Sequence, residues 1–129
     1  MASNDVAVER VMTTGLVSVT PDTPVEEAGH LLLEHDIGSL LVANQDGGLA
    51  GIMTSTDFVD VVTRDRSTDD HTVEQYMTTG VVTVKPSDSI SDAAARMLDD
   101  DVQHLPVEAD DGNVAGLVST TDLTAHLAD

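Results

Sequence analysis

The sequence predicts an α/β (α+β) fold built from two copies of a strand, helix, strand, strand, helix unit, and three observations predict it. The first is an internal repeat. The segment from Val8 to Val62, containing VMTTGLVSVTPDTPV and ending LAGIMTSTDFVDVV, aligns without a gap on Val73 to Leu127, containing YMTTGVVTVKPSDSI and ending VAGLVSTTDLTAHL. Met12 falls on Met77, Pro21 on Pro86, Gly51 on Gly116 and Asp57 on Asp122, a constant offset of 65. The second is periodicity: apolar residues alternate in some stretches of each copy and recur at three and four in others, the patterns of strand and helix. The third is size. The chain has 129 residues, 40% of them hydrophobic, which suffices for a core, but one copy of roughly 55 residues is at the edge of folding alone. The expected organisation is a first repeat over 8–62, a polar linker over 63–72 and a second repeat over 73–127, the two burying apolar faces against each other.

Each element follows from local signals. A short helix is expected at Val6 to Met12 and again at Val73 to Met77. Val17 and Val19 alternate with Ser18, and Val82 and Val84 with Thr83, giving a short strand closed by Pro21 or Pro86. The helix that follows opens on a capping box, with Thr23 as N-cap, Pro24 at the first position and Glu26 at the third; Asp88 takes the cap in the second copy. Val25, Ala28, Gly29, Leu32 and Leu33 form one apolar stripe, and Ile90, Ala93, Ala94, Met97 and Leu98 form its match. A β-hairpin comes next, Ser39-Leu-Leu-Val-Ala and Leu49-Ala-Gly-Ile-Met about a turn at Asp46-Gly47-Gly48. Its counterpart joins Leu105-Pro-Val-Glu to Val114-Ala-Gly-Leu-Val at Asp111-Gly112-Asn113. A last helix opens at Thr54 or Ser119, with Phe58, Val61 and Val62, or Leu123 and Leu127, as its apolar stripe.

Composition excludes whole classes of function. Five Lys and Arg against 24 Asp and Glu give a net charge of -19, spread along the chain. Phosphate neutralisation on nucleic acid and docking on anionic lipid both need the opposite sign. The two aromatics, Phe58 and Tyr76, make no stacking platform for single strands. Cysteine is absent, which removes disulfides, thiol catalysis and thiolate metal sites. The start, Met1-Ala-Ser-Asn-Asp, has no basic region followed by an apolar one, and no apolar run approaches the roughly 20 residues that span a bilayer. A cytoplasmic protein is the expected setting.

The ordered set of motifs resembles a known family, the CBS domain, which occurs in tandem as a CBS pair or Bateman module. The resemblance rests on VMTTGLVSVTPDTPVEEA, on DIGSLLVANQDGGLAGIMTSTD and on VQHLPVEADDGNVAGLVSTTD, where a Leu-Pro-Val strand, an Asp-Gly turn and a Gly-x-x-Ser-x-x-Asp closing motif stand in the family order. It covers almost the whole chain. The resemblance implies two βαββα units about a pseudo-twofold axis, sheets flanked by helices, and dimerisation into a flat disc. It also implies an adenosine ligand such as AMP, ADP, ATP or S-adenosylmethionine in clefts between the units, with no cofactor required.

The residues of the closing motif carry suitable chemistry. In Thr54-Ser55-Thr56-Asp57 and Ser119-Thr120-Thr121-Asp122 a hydroxyl stands three residues before a carboxylate at a strand-to-helix junction. A ribose cis-diol offers two O–H donors, and an ionised Asp accepts both. Hydroxyls and free N–H groups of a first helical turn suit a phosphate. The same residues are also good N-cap and third-position residues, each stabilising the helix by about 1 kcal/mol, and both readings stay open at this point.

Carried over from the family position by position, Asp57 and Asp122 would hold ribose, and Thr54, Thr56, Ser119 and Thr121 phosphate. The Asp122 cleft would be completed by Thr13, Val17, Ile37, Gly38 and Ser39, and the Asp57 cleft by Thr78, Val82, Val102, Gln103 and His104. Many members carry a basic residue just before the closing Asp. Thr56 and Thr121 stand there instead, which disfavours a polyphosphate and leaves a monophosphate, a nucleoside or S-adenosylmethionine. His104 reads equally as a ligand contact and as a structural histidine.

No metal site is expected: His30 and His35 do not share a helix face, and Asp99-Asp100-Asp101 and Asp110-Asp111 lack calcium-loop spacing. No catalytic residues are expected either, since the chain has no Gly-x-Ser-x-Gly, P-loop or His-Glu-x-x-His motif. Two readings remain. One is a sensory module that binds an adenosine ligand and signals to an effector protein. The other is a ligand-free dimerisation module using the terminal helices of each repeat. The acidic excess, with four Arg and one Lys as the basic set, matches proteins of salt-rich cytoplasm, and halophilic origin is the expected explanation of the charge.

Overall fold

Apart from the first strand of the second repeat, the order of strands and helices expected from the repeat recurs in the computed structural model, which describes residues 6–15, 17–35, 37–64 and 71–128. The start of the chain and residues 65–70 of the expected linker lie outside the described residues. Among the described residues no helix is long and apolar enough to cross a membrane.

The chain forms two compact units, Val17–Gly80 and Met1–Leu16 with Val81–Asp129. In Val17–Gly80, strand β1 (Ser18–Val19) lies parallel to β2 (Ser39–Ala43), and β2 pairs antiparallel with β3 (Leu49–Thr54). Helices α1 (Val25–His35) and α2 (Ser55–Arg64) follow β1 and β3. The other unit holds α3 (Ile90–Asp100), the antiparallel pair β4 (His104–Glu108) and β5 (Val114–Ser119), and α4 (Thr120–Ala128). Gly47 and Gly112 take positive φ, 91° and 87°, at the hairpin turns, where a side chain would be strained.

Each unit takes in the segment that leads into the other repeat. Val73, in the 3-10 turn Val73–Gln75, is fully buried among Val19, Val25, Ala28, Leu32, Leu40, Val42, Met53 and Val61. Its N–H donates to Thr23 O at 2.9 Å, and Val25 N–H donates to His71 O at 3.0 Å. Val8, in the turn Val8–Arg10, is likewise buried with Val84, Ala93, Met97, Leu105, Val107 and Val118. Its N–H donates to Asp88 O at 2.7 Å. The spatial units therefore divide the chain differently from the sequence repeats.

Three local expectations are corrected. The helix caps fall one residue later than expected, because Thr23 and Asp88 turn their side chains backward: Thr20 N–H donates to Thr23 Oγ1 at 3.1 Å and Lys85 N–H to Asp88 Oδ2 at 2.8 Å. Ser89 is the cap of α3, its Oγ accepting from Asp92 N–H at 3.0 Å. The first strand of the second repeat is reduced to a single bridge, Val84 to Val107. Pro106 stands where Leu41 stands in the first repeat, and it has no N–H with which to extend the pairing that Leu41 makes with Ser18. The apolar stripes are also only partly covered: Leu33 is 81% and Leu98 82% exposed, and Val62 69% and Leu127 68%.

Candidate ligand-binding sites

The construction of each site begins at a glycine. A Cβ on Gly51 would lie 2.6 Å from Thr78 O, and one on Gly116 would lie 2.7 Å from Thr13 O. Only glycine lets the Met-Thr segment dock this closely on the hairpin strand. The docking is a pair of backbone hydrogen bonds: Ile52 N–H to Thr78 O at 3.0 Å and Thr78 N–H to Ile52 O at 2.8 Å. Thr13 and Leu117 repeat it at 2.8 and 3.1 Å. The glycine repeat was visible in the sequence, but its part in placing a threonine was not read from it.

The docked threonine meets the closing carboxylate. Asp57 Oδ2 accepts from Thr54 N–H at 2.8 Å and from Thr54 Oγ1 at 3.2 Å, while its Oδ1 accepts from Thr78 Oγ1 at 3.4 Å. Asp122 Oδ2 accepts from Ser119 N–H at 2.9 Å, and Asp122 N–H donates back to Ser119 Oγ at 3.1 Å, a complete capping box. Thr13 Oγ1 donates to Asp122 Oδ1 at 3.2 Å. Both carboxylates are half-buried and fixed from one side. The hydroxyl contacts on Oδ1 are long, so a ligand diol can replace or join them at little cost, because each carboxylate oxygen has capacity for two donors.

The antiparallel register gathers further residues. Ser39 pairs with Thr54 and Gly38 O accepts from Ser55 N–H at 3.1 Å, so Gly38 and Ser39 stand beside Asp57. His104 pairs with Ser119 and Gln103 O accepts from Thr120 N–H at 3.0 Å, so Gln103 and His104 stand beside Asp122. The resemblance assigns these segments to the cleft of the opposite carboxylate; within each unit, hairpin pairing also sets them beside the closing motif of their own repeat. Ile37 N–H donates to Leu32 O at 3.1 Å, and its side chain helps line a groove of about 460 Å³ with Leu33, Ser55 and Phe58. Val102 N–H donates to Met97 O at 3.0 Å. Val17 packs on the core around Leu40, and Val82 and Val102 on the core around Leu105. Thr56 and Thr121 are exposed in the first turns of α2 and α4.

Burial pushes the His104 imidazole below the ordinary histidine range, and the Asp122 carboxylate draws it partly back up. Lys85 and Arg96 lie at a different place, a depression of about 520 Å³ also lined by Asp88, Glu108 and Asp110. Arg96 Nη1 donates to Thr83 O at 2.8 Å there, and Lys85 Nζ is 3.9 Å from Asp110 Oδ1.

A duplicated unit of this topology, closed twice by the same hydroxyl and carboxylate pair, can be compared with known proteins. The sequence profile of the CBS domain matches residues 8–64 and again 73–129. This chain is a tandem pair of CBS domains. Over 123 residues the pair is 35% identical to an uncharacterized 17.7 kDa protein of Acidianus ambivalens, covering 95% of this chain and 73% of that one. The CBS domain pair of protein MJ0100, solved with 5'-methylthioadenosine and S-adenosyl-L-methionine, superposes with a TM-score of 0.86 at 24% identity, covering 95% of this chain and 96% of the other. CBSX2, solved in complex with AMP, superposes with a TM-score of 0.82 at 26% identity over the same shares, 95% and 96%. The fold of the CBS pair is thus that of MJ0100 and CBSX2, and its closing motifs occupy the strand-to-helix junctions of both repeats.

Proposed function

We propose that this CBS pair is a regulatory module, not an enzyme, that binds an adenosine ligand at Asp57, at Asp122 or at both, and passes the bound state to an effector protein. The observation that carries this reading is the duplicated carboxylate. It is held at Oδ2 by the cap N–H and, among the described residues, approached at Oδ1 only by a distant hydroxyl. An acceptor-only group fixed beside a helix N-terminus suits a ribose diol with a phosphate or sulfonium group nearby. The AMP complex of CBSX2 supports the adenosine class. Thr54, Thr56, Ser119 and Thr121 would face the polar end of the ligand. Gly38, Gln103 and the valines at 17, 82 and 102 would contribute backbone groups and apolar surface to the base, while Ser39 and His104, paired with Thr54 and Ser119, would stand nearer its polar end. Exposed Thr56 and Thr121 supply no charge, so AMP, adenosine or S-adenosylmethionine fits better than ATP.

Calorimetry with AMP, ATP and S-adenosylmethionine tests this, together with identification of any nucleotide released on denaturing the purified protein. Asp57→Ala and Asp122→Ala are each expected to weaken binding at their own site tenfold or more, since a hydrogen bond to a charged group contributes roughly 1.5–3 kcal/mol. Binding of none of the three ligands, with both variants behaving as wild type, would refute the reading.

Self-association has its own support. Leu33 and Leu98, and Val62 and Leu127, occupy matched positions and are exposed to nearly the same extent. An apolar surface shown twice suits a partner that also shows it twice, and we assign it to a homodimer formed through the helices of each repeat. Sedimentation should give a dimer that Leu33→Asp with Leu98→Asp converts to monomer; a monomeric wild type excludes this assembly.

A further inference from the structure

The two repeats provide a position-by-position comparison of their sites, and one position beside the carboxylate differs in chemistry. Ser39, paired with Thr54, is matched by His104, paired with Ser119. Residues directly opposite on antiparallel strands project to the same face, so the imidazole shares a sheet face with the Ser119 side chain that caps against Asp122. Ser39 is buried and cannot titrate in any accessible range, whereas His104 is half-buried at the start of β4. Among the described residues, no hydrogen bond engages either ring nitrogen of His104. Lys85 and Arg96, the lysine and arginine of the second repeat, are held at the separate depression beside Thr83 and Asp110, and the other histidine of that repeat, His126, stands one turn beyond Asp122 on α4.

We propose that the two sites of this chain are inequivalent: the Asp122 site selects a phosphorylated adenosine ligand and takes up a proton at His104 when it binds, and the Asp57 site binds without proton uptake. The proposal rests on the reading of these sites as adenosine sites and adds the specificity of one of them. The groups around His104 make the sign definite. From α4 the Asp122 carboxylate faces it; β5 brings the neutral Ser119 opposite; Thr13, bonded to Asp122, is neutral; and α3 ends in Asp99, Asp100 and the following Asp101, all exposed to solvent. In the free site burial keeps the ring neutral near pH 7. A phosphate adds a second anion next to it, raises its proton affinity and is held more strongly by the cation than by the neutral ring. Anion affinity at this site therefore falls as pH rises through the range in which the bound imidazole loses its proton.

The test counts protons. Calorimetry near pH 6.5, in two buffers of different ionisation enthalpy, is run with AMP and with adenosine on Asp57→Ala, which leaves the Asp122 site, and on Asp122→Ala, which leaves the Asp57 site. AMP titrates itself, its second phosphate pKa being about 6, so the comparison between sites removes that contribution. The expected result is more proton uptake with AMP at the Asp122 site than at the Asp57 site, and no such difference with adenosine. His104→Gln should abolish the excess and weaken AMP binding several-fold at acidic pH. Ser39→His should create uptake at the Asp57 site. Equal uptake at both sites, or an excess that survives His104→Gln, overturns this proposal while leaving the adenosine reading intact. If neither ligand binds either site, both fall together.

Discussion

At Asp122 the Oδ2 oxygen accepts the Ser119 N–H at 2.9 Å, and Oδ1 is the nearer acceptor for the Thr13 hydroxyl at 3.2 Å. Helix capping and ligand binding thus draw on different atoms of one side chain, and the two roles can be separated by substitution. Asp122→Ala removes both and leaves the Ser119 N–H without its partner, costing about 1 kcal/mol, the usual value of a lost cap. Asp122→Asn keeps an acceptor for that N–H but loses the negative charge that receives two ribose hydroxyls. Thermal melting should therefore fall by a few degrees for the alanine variant and stay close to wild type for the asparagine variant, while AMP binding is impaired in both. Equal loss of stability in the two variants would show that the charge itself, and not the capping hydrogen bond, holds the helix. The same pair of substitutions applies at Asp57, where Thr54 supplies both its N–H and its hydroxyl to Oδ2.

Between elements, the controlling contact is the docking of the Met-Thr segment on the hairpin. Adding a Cβ at Gly51 or Gly116 meets backbone oxygen at 2.6 or 2.7 Å and the Met77 or Met12 sulfur at 3.0 or 2.9 Å. The sulfur can swing away, but the carbonyl is fixed by a two-bond bridge. Gly51→Ala and Gly116→Ala are expected to cost about 1–3 kcal/mol by urea denaturation, in the range of overpacked sites, and to weaken ligand binding at the same repeat by displacing Thr78 or Thr13. An unchanged midpoint would mean the segment docks without needing the glycine. This contact also marks what the sequence could reveal. The repeat, the hairpins and the positions of Asp57 and Asp122 were legible because they rest on local periodicity and turn chemistry, which offset matching amplifies. The docking was not, because it joins Gly51 to a segment some 27 residues away through backbone atoms that leave no side-chain signal. The caps were misplaced by one residue for a related reason: Thr23 and Asp88 have cap chemistry but spend it on the preceding turn. Pro106 was read as a family signature, whereas its missing N–H is what reduces the first strand of the second repeat to one bridge.

For the molecule as a whole, charge is the dominant unbalanced quantity. Among the described residues the cores are aliphatic, with Thr23 and Ser39 as the buried polar residues, and acidic side chains such as Glu26, Glu27, Asp99, Asp100, Asp110 and Asp111, part of the excess behind the net charge of -19, lie at the surface. Self-repulsion of this kind opposes the compact state and is a function of ionic strength. In dilute buffer it acts over roughly 10 Å or more, far enough for the carboxylates of one face to add; at molar salt the screening length falls to about 3 Å and only adjacent charges still interact. Folding stability is therefore expected to rise with KCl. The same screening removes the repulsion between a -19 protein and a nucleotide phosphate, offsetting the ordinary weakening of ion pairs by salt. Thermal melting from about 0.1 M to several molar KCl, with AMP titrations at both ends, measures the two effects together. A melting temperature that climbs by many degrees while AMP affinity holds or improves is the expected outcome. A melting temperature flat across that range would mean that the surface carboxylates are too far apart to repel one another.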